Sequence, residues 1–207
     1  MKVGTIRREA LRLMNATSGE VLETADVTEL YQNPQYAYYL AGMEMSINRA
    51  VVRMQSANAL PMGRSVLSMP VVTGSVATYD LSRIDDFAGV YEVRVNTGDA
   101  YTAHAYRWEG GTTLVVPFYS ADEEYVLLYR RKVALLTPLC ADDTEVDVPD
   151  ELACLIPYYV KSEWYEDEDA AMAKRARDYF EQGLAAYAAK GETSVPRYEG
   201  KYKWEDL

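Results

Sequence analysis

The hydrophobic period of this chain changes twice, and that change constrains its fold more than any other feature. At both ends apolar residues recur at helical spacing, while between about residues 65 and 148 they alternate with polar ones. A side chain returns to the same face every 3.6 residues in a helix and every second residue in a strand. The chain is therefore expected to be α+β, with helices before and after a run of strands.

Val3, Ile6, Ala10, Leu13 and Met14 fall on one face of a helix over 3–14, with Arg7, Arg8 and Arg12 elsewhere on the wheel. Residues 15–33 read as a polar connector. Asn33-Pro34 then opens a second helix, because Asn caps well and Pro suits the first helical position. The stripe Tyr36, Tyr39, Leu40, Met43, Ile47, Ala50, Val51 and Met54 carries that helix over 35–58, and Leu60-Pro61 with Met62-Gly63 ends it.

In the middle region Tyr91, Val93 and Val95 alternate with Glu92 and Arg94, and Asn96–Asp99 reads as a turn. Gly110-Gly111 suits the positive-φ positions of a tight hairpin before the strand at Thr112–Phe118. Glu124–Leu136 reads as a long strand, and 65–79 as a first one. Short strands at regular spacing with turn signals suggest a small sandwich or barrel-like sheet.

The helical period returns near Pro149. Leu152, Leu155, Ile156, Tyr159 and Val160 share a face over 150–165, with a kink expected at Pro157. An acidic corner, Glu166–Asp169, leads into a last helix over 169–189. Its stripe is Met172, Ala176, Tyr179, Phe180, Leu184 and Tyr187, and Gly191 is expected to end it. The expected architecture is a four-helix bundle with a β-sandwich-like domain inserted between helices 2 and 3. Residues 1–64 and 149–190 form the bundle, 65–148 the β-domain, and 191–207 an extended C-terminal docking tail. The core is expected to gather Ile6, Leu13, Met43, Ile47, Met54, Leu155, Ile156, Tyr159, Phe180 and Leu184.

Charge narrows the function. The formal net charge is −11, which disfavours binding to phosphate backbones. Residues 141–169 hold eleven Asp/Glu against one Lys, whereas the first helix is basic. These two stretches are expected on different faces, giving the subunit a charge asymmetry. No apolar run approaches the roughly 20 residues of a membrane span, and Arg7, Arg8 and Glu9 stand where a secretory signal needs an apolar stretch.

Candidate chemistry is sparse. His104 is the single histidine and sits in a strand pattern, where it reads as a packing residue. Cys140 and Cys154 match no disulfide, metal or redox spacing, and Cys154 reads as partly buried. The corner Glu166–Asp169 lacks the pattern of a calcium loop and reads as a cap for the last helix. Asp85, Asp86 and Glu92 are not placed across a cleft by anything in the sequence. No catalytic residue, cofactor or metal ligand is assigned, and an enzyme is not expected.

The segment VPDELACLIPYYVKSEWYEDEDAAMAKRARDYFEQGLAAY, residues 148–187, resembles the third and fourth helices of the head-to-tail adaptor proteins of tailed bacteriophages. These are the tail tubular A and portal accessory adaptors of short-tailed phages and prophages. The element order resembles theirs as well. The resemblance implies a structural virion protein made in the host bacterial cytoplasm and placed at the head–tail junction. Its copies would form an oligomeric ring beneath the portal, twelve by family analogy, and connect the capsid to the tail. Its partners would be the portal protein, neighbouring copies and a downstream tail protein, with no sequence-specific nucleic acid and no membrane. By the same resemblance 191–207 would dock on the portal or a neighbouring subunit through Tyr198, Tyr202 and Trp204. The alternative is a carbohydrate- or ligand-binding β-sandwich module on a helical stalk, with Tyr101, Tyr106 and Trp108 as a stacking platform.

Overall fold

A computed structural model describes residues 1–14, 32, 34–96, 98 and 100–192. The chain is α+β. Helices α1 (Val3–Met14), α2 (Pro34–Leu40) and α3 (Met43–Ser56) come first. Strands β1 (Gly63–Val66), β2 (Val71–Thr73), β3 (Val76–Asp80), β4 (Phe87–Asn96), β5 (Tyr101–His104), β6 (Arg107–Glu109), β7 (Thr113–Pro117) and β8 (Glu124–Arg131) follow. Helices α4 (Asp150–Ala153), α5 (Ile156–Trp164) and α6 (Ala170–Glu192) complete the order. Among the described residues, those up to Leu60 and from Val133 onward make one compact unit, and those of Pro61–Lys132 the other.

The expected four-helix bundle with an inserted sandwich does not form. The helices flank two antiparallel sheets along the chain, and within their own unit they gather around a short hub. Helix α5 is that hub: α1, α3 and α6 each pack against it. Two helices expected to be continuous are broken. The one expected over 35–58 stops at Leu40 and restarts at Met43, because Gly42 takes a left-handed φ of 79° that no helix continues through. The one expected over 150–165 breaks at Cys154-Leu155. Pro157 lies in the first turn of α5, where its missing N–H breaks no ladder, so the expected kink becomes a restart.

Of the residues expected in the helical core, Ile6, Met43, Ile47, Met54, Leu155, Ile156, Tyr159, Phe180 and Leu184 are buried together. Leu13 is only half-buried, and Leu11 takes its place. The inward face of α1 is Val3, Ile6, Arg7, Ala10, Leu11 and Met14, so it includes a charge. Gly183 lets α5 and α6 approach closely, since a Cβ there would stand 2.6 Å from Leu155 Cδ2. Helix α6 continues past Gly191, and Met172 and Tyr179 are exposed rather than core.

The last strand ends at Arg131, short of the expected Leu136, and 133–149 belongs to the helical unit. Val133, Leu136, Cys140, Val146 and Val148 pack on the helical core. Asn48 grips this strap at both polar groups of one residue. Its Nδ2 donates to Leu136 O at 2.9 Å, and its Oδ1 accepts from Leu136 N at 2.8 Å.

In the β unit the sheet orders are β1-β8-β4-β5 and β2-β3-β7-β6. Ala77, Tyr79, Leu114 and Val116 from the second sheet meet Val93, Val95, Tyr125, Leu127 and Tyr129 from the first in one core. The β6–β7 hairpin closes through Gly110 and Gly111 at φ 46° and 59°, as the glycine pair predicts. Close packing also fixes Gly63, where a Cβ would run into the Tyr129 ring.

Candidate assembly surfaces

The tail residues Tyr198, Tyr202 and Trp204 lie outside the described residues, as do the 15–31 part of the connector and the Asn33 cap.

Helices α5 and α6 meet through Tyr159 and Phe180, whose rings are 4.9 Å apart and edge-on, and the guanidinium of Arg177 lies 4.1 Å over the Tyr159 ring. A second aromatic pair stands further out. Tyr158 and Tyr179 stack at 4.1 Å, with Tyr179 half exposed. Burial, then the neighbouring Tyr179, pushes the Tyr158 hydroxyl up from its ordinary pKa. Two arginines of α3 reach this hairpin: Arg53 holds Glu181 bidentately at 2.8 Å, and Arg49 reaches Glu163 at 3.2 Å. The corner residues Glu166–Asp169 are exposed. Asp169 Oδ1 accepts from Met172 N at 2.9 Å, so the corner does cap the last helix.

The first helix and the start of the acidic stretch, expected on different faces, are bound to each other through Arg7 and the amino terminus. Arg7 is 1% exposed, and its guanidinium pairs with Glu44 of α3 and with Asp142 of the strap. It also donates to Cys140 O at 3.3 Å. The amino terminus meets Asp150 at 2.5 Å. Val3 N donates to Thr144 O and Gly4 N to Asp142 O, both at 2.9 Å, which satisfies two of the free N–H groups at the start of α1. A negative strap at the positive end of a helix is also the favourable electrostatic placement. At the other end of α1, Lys161 Nζ donates to Leu13 O and the Tyr165 hydroxyl to Met14 O, each at 2.8 Å.

Sequence reasoning missed this Arg7 cluster. The available signal was the spacing Val3, Arg7, Leu11 and Met14, which places the arginine inside the apolar stripe. Cys140 lies beside it, and burial pushes its thiol up against the opposing pull of Arg7. Cys154 is exposed, not partly buried.

Of the residues considered for chemistry in the β unit, Asp85 is exposed, and His104, Asp86 and Glu92 each have a partner. His104 Nδ1 lies 2.8 Å from Ala105 O, and its ring sits edge-on to Tyr125. Asp86 accepts from Arg131 Nε at 2.6 Å and from the Tyr129 hydroxyl at 2.9 Å. The Arg131 hydrogen bond holds its carboxyl below the usual range. Glu92 pairs with Arg94 at 2.8 Å. The three aromatics of the suggested stacking platform are distributed over the unit. Tyr101 lies on β5 of the first sheet with its hydroxyl on Glu124, the Tyr106 hydroxyl donates to Tyr91 O, and Trp108 lies on β6 of the second sheet with its indole on Gly111 O.

No protein-family model and no curated protein matches the chain.

Proposed function

We propose that this chain is a head-to-tail adaptor of a tailed bacteriophage or prophage virion. Copies of it form a ring beneath the portal, and the ring joins the capsid to the tail. The observation that carries this reading is the hairpin over 150–192. The segment whose sequence resembles the adaptor family forms α4, α5, an exposed acidic corner and the long α6, with Leu155, Ile156, Pro157 and Tyr159 packed inward. The element order supports the same reading, since the strands stand between α3 and α4. Tyr179 and Met172 of the hairpin, with Arg49 and Arg53 of α3 paired to its Glu163 and Glu181, combine aromatic area with arginine, the mix enriched at protein interfaces, which supports an assembly role.

The test is a preparation of virions or induced prophage particles from a host carrying this gene. The expected result is the chain in purified particles by mass spectrometry, ring density between head and tail by cryo-EM, and filled, tailless heads when the gene is deleted. Intact tailed particles from the deletion strain would overturn the proposal.

A further inference from the structure

The hub helix α5 has two flanks, and the side chains beside them differ. On the flank toward α3, Arg49 and Arg53 reach over to Glu163 and Glu181, and Arg177 lies on the Tyr159 ring. On the flank toward α1, Tyr158 of α5 and Tyr179 of α6 stack at 4.1 Å, yet Tyr179 is left 53% exposed. Arg12 of α1, itself 58% exposed and paired with Glu9 of its own helix, stands near this pair. It draws the Tyr158 hydroxyl down against the larger upward push of burial.

The same flank continues along α6. Residues three, four and seven apart share a helix face, so Met172, Arg175, Tyr179 and Ala186 form one stripe. All four are exposed, and Arg175 has no ion pair among the described residues. Followed back from Glu192, the stripe therefore presents a small residue, then the stacked rings, then a free guanidinium. The core of α6 lies on the neighbouring face, through Ala173, Ala176, Phe180 and Leu184. The stripe is thus a helix face with an aromatic centre that nothing in the helical unit covers.

We propose that the occupant of this stripe is the chain's own segment Tyr202–Asp206, which lies outside the described residues. Three arguments select it. The first is chemical: Tyr202 and Trp204 offer rings to the Tyr158–Tyr179 pair, and Glu205 and Asp206 offer carboxylates to Arg175 and Arg12. The second is order, since a chain returning from Glu192 along α6 meets the rings before Arg175, and its own rings precede its carboxylates. The third is reach. From Tyr179 to Glu192 the helix rises about 20 Å, and residues 193–203 span up to about 36 Å when extended. A tether of this length also holds the segment at an effective concentration on the order of millimolar, which a second copy in dilute solution does not match. The inference does not rest on the adaptor reading. In an adaptor, the portal or a neighbouring copy would have to displace the segment from this stripe before binding it.

The experiment is amide hydrogen exchange of the full chain, read by NMR at residues 202–206 over a concentration series whose monomeric range sedimentation velocity defines. Wild type is compared with Tyr179→Ala, Arg175→Glu, the charge swap Arg175→Glu/Glu205→Arg/Asp206→Arg, and the control Leu139→Lys. Tyr179, Arg175 and Leu139 are open enough for the variants to fold, which circular dichroism verifies. In the monomer, wild type and Leu139→Lys are expected to exchange about tenfold slower at 202–206 than Tyr179→Ala and Arg175→Glu, and the swap should restore the protection. A wild-type monomer without protection would overturn the proposal, as would protection that survives in both single variants or a swap that restores nothing. Protection that appears only as copies associate would also overturn it and assign the stripe to the segment of a second copy. The particle experiment decides the adaptor function separately.

Discussion

In the helical unit the guanidinium of Arg7, 1% exposed, meets Glu44 and Asp142 inside the fold. In the β unit the pairs Arg94–Glu92 and Arg131–Asp86 sit nearer the surface, with 24% to 38% of each side chain exposed. The difference follows from chain topology. Neighbouring strands such as β2–β3, β4–β5 and β6–β7 are joined by short turns, so register follows from turn chemistry and alternation. The helical unit must instead bring together α1, α3 and a strap more than a hundred residues away. Apolar packing tolerates sliding; an arginine bonded to two carboxylates and a carbonyl does not. A buried ion pair is a weak source of net stability but a strong penalty against any arrangement that leaves one partner alone.

Several substitutions would break or sharpen this contrast. The largest effect belongs to Arg7→Ala, which strands Glu44 at 5% exposure. A loss of about 3–5 kcal/mol is expected in equilibrium unfolding, and Arg7→Met/Glu44→Met should recover most of it by replacing the pair with apolar volume. Next is Gly63→Ala in the β unit, where the new methyl meets the Tyr129 ring; overpacking of this kind costs about 1–3 kcal/mol and should lower the melting temperature. Asp169→Ala removes the cap on Met172 N and should cost about 1 kcal/mol.

The smallest effect is a pH dependence. Arg131 lowers the pKa of Asp86 in the folded chain, so its contribution is fully present above the unfolded carboxylate value of roughly pH 4. It is lost as pH falls through the lower folded value. Asp86→Asn should flatten the acid limb of the stability curve in that window, and an unchanged limb would remove Asp86 from the account.

Much of the secondary structure was legible from period and turn chemistry. The switch from 3.6 to 2 and back located helices and strands, and Gly110-Gly111 located a hairpin. What was hidden came from residues whose usual role differs from their role here. Gly42 lay inside an unbroken apolar stripe, so the stripe outweighed it, yet its left-handed φ ends α2. Arg7 was assigned outward because charge is rarely buried, and the same assumption separated the basic helix from the acidic strap that binds it. The strap itself, 133–149, has no period, since its residues are held by α1 and by Asn48 rather than by a ladder of their own. Of the candidate site, Tyr198, Tyr202 and Trp204 lie outside the described residues.

The central claim is that Arg7 locks α1, α3 and the strap into one register. Amide hydrogen exchange on Arg7→Met and Arg7→Met/Glu44→Met tests it most directly, read at Val3 and Gly4, whose N–H groups bond the strap, and at Leu136, held by Asn48. The account predicts faster exchange at Val3 and Gly4 in Arg7→Met, little change at Leu136, and recovery in the double variant. Unchanged protection at Val3 and Gly4 in Arg7→Met would contradict it.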